Sequence, residues 1–221
     1  MPAFLVVLDV DSTLIENEVI ELIADAAGTR EEVAAVTARA MNGELDFAAS
    51  LRERVATLAG LDAAVLADVR ERVTVTRGVP ELVAGVHAAG GRVAVVSGGF
   101  HEILDPLAER LGLDAWRANR LEVADGRLTG RVDGPIVDAK AKADALRAWA
   151  ADAGIPSLGT IAIGDGANDL VMMAEAGLSV GFDAKAPVRQ RADVLLDERD
   201  LSLVLPLLGL GRPALPSSFP V

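Results

Sequence analysis

The chain has 221 residues, 51% of them hydrophobic, and its 33 acids against 21 bases give a net charge of −12. That much apolar material can bury one large domain, or a domain carrying a smaller insertion. The acidic balance argues against a nucleic-acid partner, which wants basic patches. Zero cysteines and two histidines rule out disulfides and thiolate metal sites, so any metal is expected to be a hard ion held by oxygen.

The first stretch, "MPAFLVVLDV", has no basic region, and its apolar run is too short for a signal peptide or a membrane span. The expected location is cytoplasmic, with no membrane partner. Residues 4–8 read as a buried strand. From there to about Val73 the pattern is helical only, over 14–27, 30–41, 46–58 and 62–72, with "GTR", "NGELD" and "AGLD" between the segments. Strand signals return at 92–96, 160–163, 178–181 and near 193–196. Helical patterns separate them at 79–89, 100–111, 138–150 and 167–176. This alternation predicts an α/β fold with a parallel sheet. The expected division is a Rossmann-like core over 1–14 and 74–210, a helical insertion over 15–73 and a loose Pro-rich tail over 211–221. "RLEVADGRLTGRVDG" alternates around Asp125-Gly126 and reads as a hairpin.

In open parallel sheets, ligands bind beyond the carboxyl ends of strands. Asp9-Val10-Asp11-Ser12-Thr13 follows the first strand, Ser97-Gly98-Gly99-Phe100 the next, and "GDGAND", with Asp165 and Asp169, the next. Each alone has an ordinary reading. Thr13 with Glu16 makes a capping box, the Ser-Gly-Gly run makes a turn, and Asp165 makes an N-cap. Their convergence at successive strand ends points instead to phosphoryl transfer from a monoester, among the slowest uncatalysed reactions.

Asp9 is the expected carboxylate nucleophile and Asp11 the expected proton donor, then acceptor. The metal is expected to be Mg²⁺, with Asp9, Asp165 and Asp169 as ligands and Asp11 counted beside them. Ser97 and the Gly98 and Gly99 amides, at a helix N-terminus, would hold phosphate oxygens. Lys142 shares an apolar helix face with Leu146 and Trp149, so it is the expected inward cation.

With these residues in place, the sequence resembles the haloacid dehalogenase superfamily of Mg²⁺-dependent phosphatases. "DVDST", Ser97, Lys142 and "GDGANDLVMM" match its four motifs. Within it, "DSTLIENEVIELIADAAG", "VAVVSGGF" and "ANRLEVADGRLTG" resemble the phosphoserine phosphatase family. The resemblance runs from about Leu5 to Leu208. It implies a Rossmann-like core with a helical cap and hydrolysis of a small phosphomonoester, O-phospho-L-serine, through an aspartyl-phosphate. It also implies that Asn168 belongs to the site, that Glu18 faces the substrate ammonium and Arg54 its carboxylate, and that Met41 and Phe47 shield it. The sequence itself adds that Arg54 falls within the apolar stripe of Phe47, Leu51 and Leu58, where a charge needs a partner. Two other readings stay open: a related enzyme acting on another small phosphomonoester, and a receiver-type phospho-acceptor domain.

Overall fold

The computed structural model describes residues 4–41 and 44–213, the side chain of Met41 excepted. Met41's expected shielding role, the turn at 42–43 and the tail from 214 lie outside the described residues. Strand β1, Leu5–Leu8, is buried along its whole length. The other strands are β2 (Arg92–Phe100), β3 (Ala115–Ala124), β4 (Arg127–Asp133), β5 (Thr160–Gly164), β6 (Leu178–Phe182) and β7 (Val194–Leu196). They form one sheet in the order β4-β3-β2-β1-β5-β6-β7, parallel except for the β3–β4 hairpin. β1 pairs in parallel with both β2 and β5. The chain leaves β1 toward one edge and later returns to the other, so the topological switch lies beside β1, where a crevice is expected.

The period-2 alternation of β1 sets the layers. Val6 and Leu8 face one apolar cluster with α5 (Val79–Ala88) and α6 (His101–Leu111). Leu5 and Val7 face a second cluster with α7 (Ala139–Asp152) and α8 (Leu170–Glu175). Helices α1 (Val19–Ala27), α2 (Arg30–Met41), α3 (Phe47–Ala56) and α4 (Val65–Glu71) lie between β1 and β2 in the chain. The short helices α9 (Ala186–Arg189) and α10 (Val204–Leu207) complete the chain. Ile23, Val33, Leu51, Val55, Leu58 and Val69 of the insertion belong to the same apolar cluster as Val6 and Leu8.

The insertion is joined to the sheet by two linkers running side by side. Ile15 pairs antiparallel with Val75, Glu16 N donates to Thr74 O at 2.9 Å, and Thr76 N donates to Leu14 O at 3.0 Å. At its far side the loop after α3 meets the hairpin, with Gly60 N on Leu128 O at 2.8 Å and Leu128 N on Leu61 O at 2.9 Å.

Three expectations are corrected. The first helix of the insertion starts at Val19, not at residue 14, because Ile15 is extended, at φ −121° and ψ 157°, and is held so by its pairing with Val75. Thr13 makes no capping box; its buried hydroxyl has no hydrogen-bond partner among the described residues. The hairpin strand begins at Ala115, so "AWRAN" is also a strand, paired in parallel with β2.

Candidate active site

Asp9 follows β1 directly, and its N–H donates to Ile163 O at 2.9 Å, which fixes the end of β1 against β5. The chain then turns sharply, with Ser12 in the left-handed region at φ 58°. A non-glycine residue rarely sits there. The turn is held by Ser12 Oγ donating to Glu18 Oε1 at 2.8 Å.

Below this turn lies Lys142. Helix α7 opens on Asp138, whose carboxylate accepts from Ala141 N at 2.8 Å, and this aims Lys142 inward with Ala143 and Leu146. Its Nζ sits 2.6 Å from Asp9 Oδ1 and 2.8 Å from Asp169 Oδ1. The side chain is 1% exposed. That burial excludes a stem merely running along the core toward water, and its one charge is met by two carboxylates.

Carboxylate oxygens of Asp9, Asp165 and Asp169 all lie within 4.8 Å of one another. Asp169 is wholly buried and its Oδ2 accepts from Gly166 N at 3.1 Å. It occupies the space beside Gly164, where an added Cβ would lie 2.3 Å from that oxygen. Burial, with Asp169 close by, pushes the Asp9 carboxyl up to about 7 against the pull of Lys142. Burial likewise raises Asp165. Lys142 is raised, because Asp169 and Asp9 outweigh its desolvation. Three hard oxygen donors with one ammonium between them form a site that a divalent cation would neutralise. The donor set fits such an ion. Asp11, counted among the metal ligands in the sequence reading, is not one of the three. Its Oδ1 accepts from Val19 N at 3.3 Å, at the start of α1. Burial, Glu18 and Asp9 raise its carboxyl well above the usual range.

The end of β2 forms the next wall. Buried Asn119 donates to Gly98 O at 2.8 Å and accepts from Val137 N at 2.8 Å. Gly99 N donates to Ser97 Oγ at 2.8 Å. A Cβ on Gly99 would lie 3.0 Å from that Oγ and 3.2 Å from Asp11 Oδ2, so the absence of a side chain lets the two approach. The two glycines therefore sit at the end of a strand that runs to Phe100, not on α6 itself, and the Gly99 amide is engaged by Ser97.

The insertion roofs this floor. A cavity of about 100 Å³ is lined below by Asp9, Asp11, Gly98, Gly99, Asp165 and Asn168, and above by Glu18, Phe47 and Arg54. Phe47 packs on Gly98, where an added Cβ would meet its ring at 2.7 Å. Arg54 Nε donates to Ser50 O at 3.3 Å. Its guanidinium forms no ion pair among the described residues, although Glu18, Asp11 and Glu21 lie within its field. Ser97 and Lys142 are buried behind the wall rather than lining it.

Two residues of the site were not singled out from sequence. Asn119 holds the Ser-Gly-Gly turn. Lys185 lines the cavity and places Nζ 2.9 Å from Asp165 Oδ2. It follows the carboxyl end of β6, so the rule that found the others would have found it, had that strand end been read too.

The sequence profile of the haloacid dehalogenase-like hydrolases matches residues 6–174. A phosphoserine phosphatase of Streptococcus thermophilus is 49% identical over 92% of this chain and 95% of that protein. The chain belongs to the haloacid dehalogenase-like hydrolases, in the phosphoserine phosphatase family. The family member from Streptomyces coelicolor is 56% identical over 94% of this chain. This chain spans about half the length of that protein and of its Mycobacterium tuberculosis counterpart, 51% of each. A phosphoserine phosphatase solved as an analogue of its phospho-aspartyl intermediate superposes with a TM-score of 0.88 at 42% identity, covering 94% of this chain and 99% of that one. A substrate-bound phosphoserine phosphatase matches equally well, with a TM-score of 0.88. Among the described residues, no helix is long and apolar enough to cross a membrane.

Proposed function

We propose that this chain hydrolyses O-phospho-L-serine to serine and phosphate, the last step of serine biosynthesis, with the helical insertion of residues 15–73 acting as a specificity cap over the catalytic core. The observation that carries the reading is the pairing of opposite charges in the roof with the strand-end carboxylate below. Glu18 and Arg54 face one cavity whose floor holds Asp9. A zwitterionic amino acid carrying a phosphate fits that arrangement, with its ammonium toward Glu18, its carboxylate toward Arg54 and its phosphate toward Asp9. Relatives named phosphoserine phosphatase over nearly the whole of this chain support it.

In the first half-reaction an Asp9 carboxylate oxygen attacks phosphorus and the ester P–O bond breaks. The departing serine oxygen takes a proton from Asp11. In the second, Asp11 takes a proton from water, whose oxygen attacks phosphorus, and the acyl-phosphate P–O bond breaks to return Asp9. Lys142 favours the ionised form of Asp9 against its burial and orients the carboxylate. Gly98 and Gly99 line the phosphate's side of the cavity, and Ser97 behind them holds the turn through its Oγ. A Mg²⁺ held by Asp9, Asp165 and Asp169 would offset the repulsion between carboxylate and phosphate.

The test is phosphate release, with Mg²⁺ present, from phosphoserine and from phosphoethanolamine, which lacks the carboxylate. Phosphoserine should be strongly preferred. Equal use of both would favour another small phosphomonoester as substrate, and a single stoichiometric phosphorylation without steady release would favour the receiver-type reading.

A further inference from the structure

The cavity wall carries four carboxylates, on Asp9, Asp11, Glu18 and Asp165, against two cations, Arg54 and Lys185. This is a poor electrostatic setting for a phosphate dianion. Arg54 belongs to the roof and Lys142 is buried beneath the floor. Lys185 is therefore the cation that the core itself presents to the cavity.

The fold anchors it tightly. The Lys185 N–H donates to the Asp165 carbonyl at 2.8 Å, and Val188 N and Arg189 N donate to the Lys185 carbonyl at 3.0 and 3.1 Å. Its backbone is thus fixed against the loop that carries Asp165. The side chain is different. It is 63% exposed, and its one ion pair among the described residues is with Asp165 Oδ2 at 2.9 Å. Asp9 and Glu18 face the same ammonium. An exposed lysine has three rotatable donors on a flexible stem, so it can exchange one anion for another at little cost.

Asp165 is also one of the three acids suited to a divalent cation. We propose that Lys185 and the divalent cation compete for the Asp165 carboxylate, and that the displaced ammonium turns to the substrate's phosphate in the same cavity. Lys185 is then a counter-ion that serves the acid in one state and the substrate in the next. This rests on the metal-assisted phosphatase reading above.

The variants are Lys185→Met, which keeps the stem and removes the charge, and Lys185→Arg, which keeps the charge. Mg²⁺ binding is measured by titration calorimetry on metal-stripped protein without substrate, and kcat/KM for phosphoserine is measured at saturating Mg²⁺. Removing a partly exposed competing pair should tighten Mg²⁺ binding in Lys185→Met by about threefold. Losing a charge-assisted contact to phosphate should lower kcat/KM by about tenfold, mostly through KM. Lys185→Arg should stay near wild type in both. Opposite movement of the two quantities supports the proposal. Weaker Mg²⁺ binding in Lys185→Met would make Lys185 a residue that positions Asp165 for the metal, and would overturn it. No change in either quantity, with normal Mg²⁺ binding by wild type, would overturn it while leaving the phosphatase reading intact. Absence of Mg²⁺ binding in wild type and variants alike would overturn both.

Discussion

The floor and the roof of the cavity are built on different physical terms. The floor is set by strand ends. Asp9, Asp165 and Asp169 are almost wholly buried, and Lys142 ties two of them together from below. Every charge there depends on its neighbours. The roof is set by helices that reach the site only through side chains. Glu18, Phe47 and Arg54 are half-buried, and Arg54 has no ion pair among the described residues. A floor built this way suits an invariant reaction, because moving any part leaves a buried charge unpaired. A roof built this way can be changed without disturbing the floor, which is where choice of substrate can reside.

The comparison breaks most sharply at Asp9. Asp9→Asn should fold and lose nearly all turnover on every substrate, because the amide is not a competent nucleophile. Steady-state phosphate release from protein shown by mass spectrometry to be free of deamidation checks this. Lys142→Met should be costly in another currency. Removing one partner of a buried ionic cluster typically costs about 3–5 kcal/mol, so its denaturation midpoint should fall well below that of wild type in chelator. An unchanged midpoint would mean that the floor does not depend on Lys142.

The roof should behave differently. Arg54→Ala should lower kcat/KM for phosphoserine by roughly 30- to 5000-fold, the worth of a desolvated charge pair of about 2–5 kcal/mol. It should change little for phosphoethanolamine. Equal loss on both would assign Arg54 to cap closure instead. Arg54→Lys should recover only part, since an ammonium lacks the planar fork. The smallest effect should come where roof meets floor. Gly98→Ala would press on Phe47 at 2.7 Å, and the ring stands at the end of a rotatable side chain. A strain of about 1 kcal/mol, or about fivefold in KM with kcat unchanged, is expected. A fall in kcat would show that the wall itself had moved.

The floor was legible in the sequence because its residues follow apolar, β-branched runs, and strand direction then says where they lie. Arg54 was legible because it interrupts the stripe of Phe47, Leu51 and Leu58. What escaped had local patterns that tertiary contacts overrode. Thr13-x-x-Glu16 has the form of a helix start, yet Ile15 pairs with Val75, 60 positions away, and the helix waits until Val19. "AWRAN" lacks an apolar run because it lies one strand from the sheet's edge, where Trp116 and Arg117 are only partly covered. Asn119 gave no signal at all. Its role depends on Gly98 and Val137, brought together only by the fold.

The central position of β1 has a consequence for how the molecule is made. Leu5 pairs with Arg92 on one side and with Thr160 on the other. At roughly 5–20 residues per second, the second neighbour is synthesised on the order of ten to thirty seconds after the first strand. Until then "LVVL" has a row of unpaired amides and carbonyls and no complete sheet to bury it. Helices α1 to α4 of the insertion made in between pack on one another, so they can form early and shorten the chain that must close before β1 and β2 meet. The segment that carries the nucleophile is thus made early and locked late. The same long-range closure of β1 onto β5 predicts slow, aggregation-prone refolding of the full chain, rescued by lower protein concentration more than by added substrate.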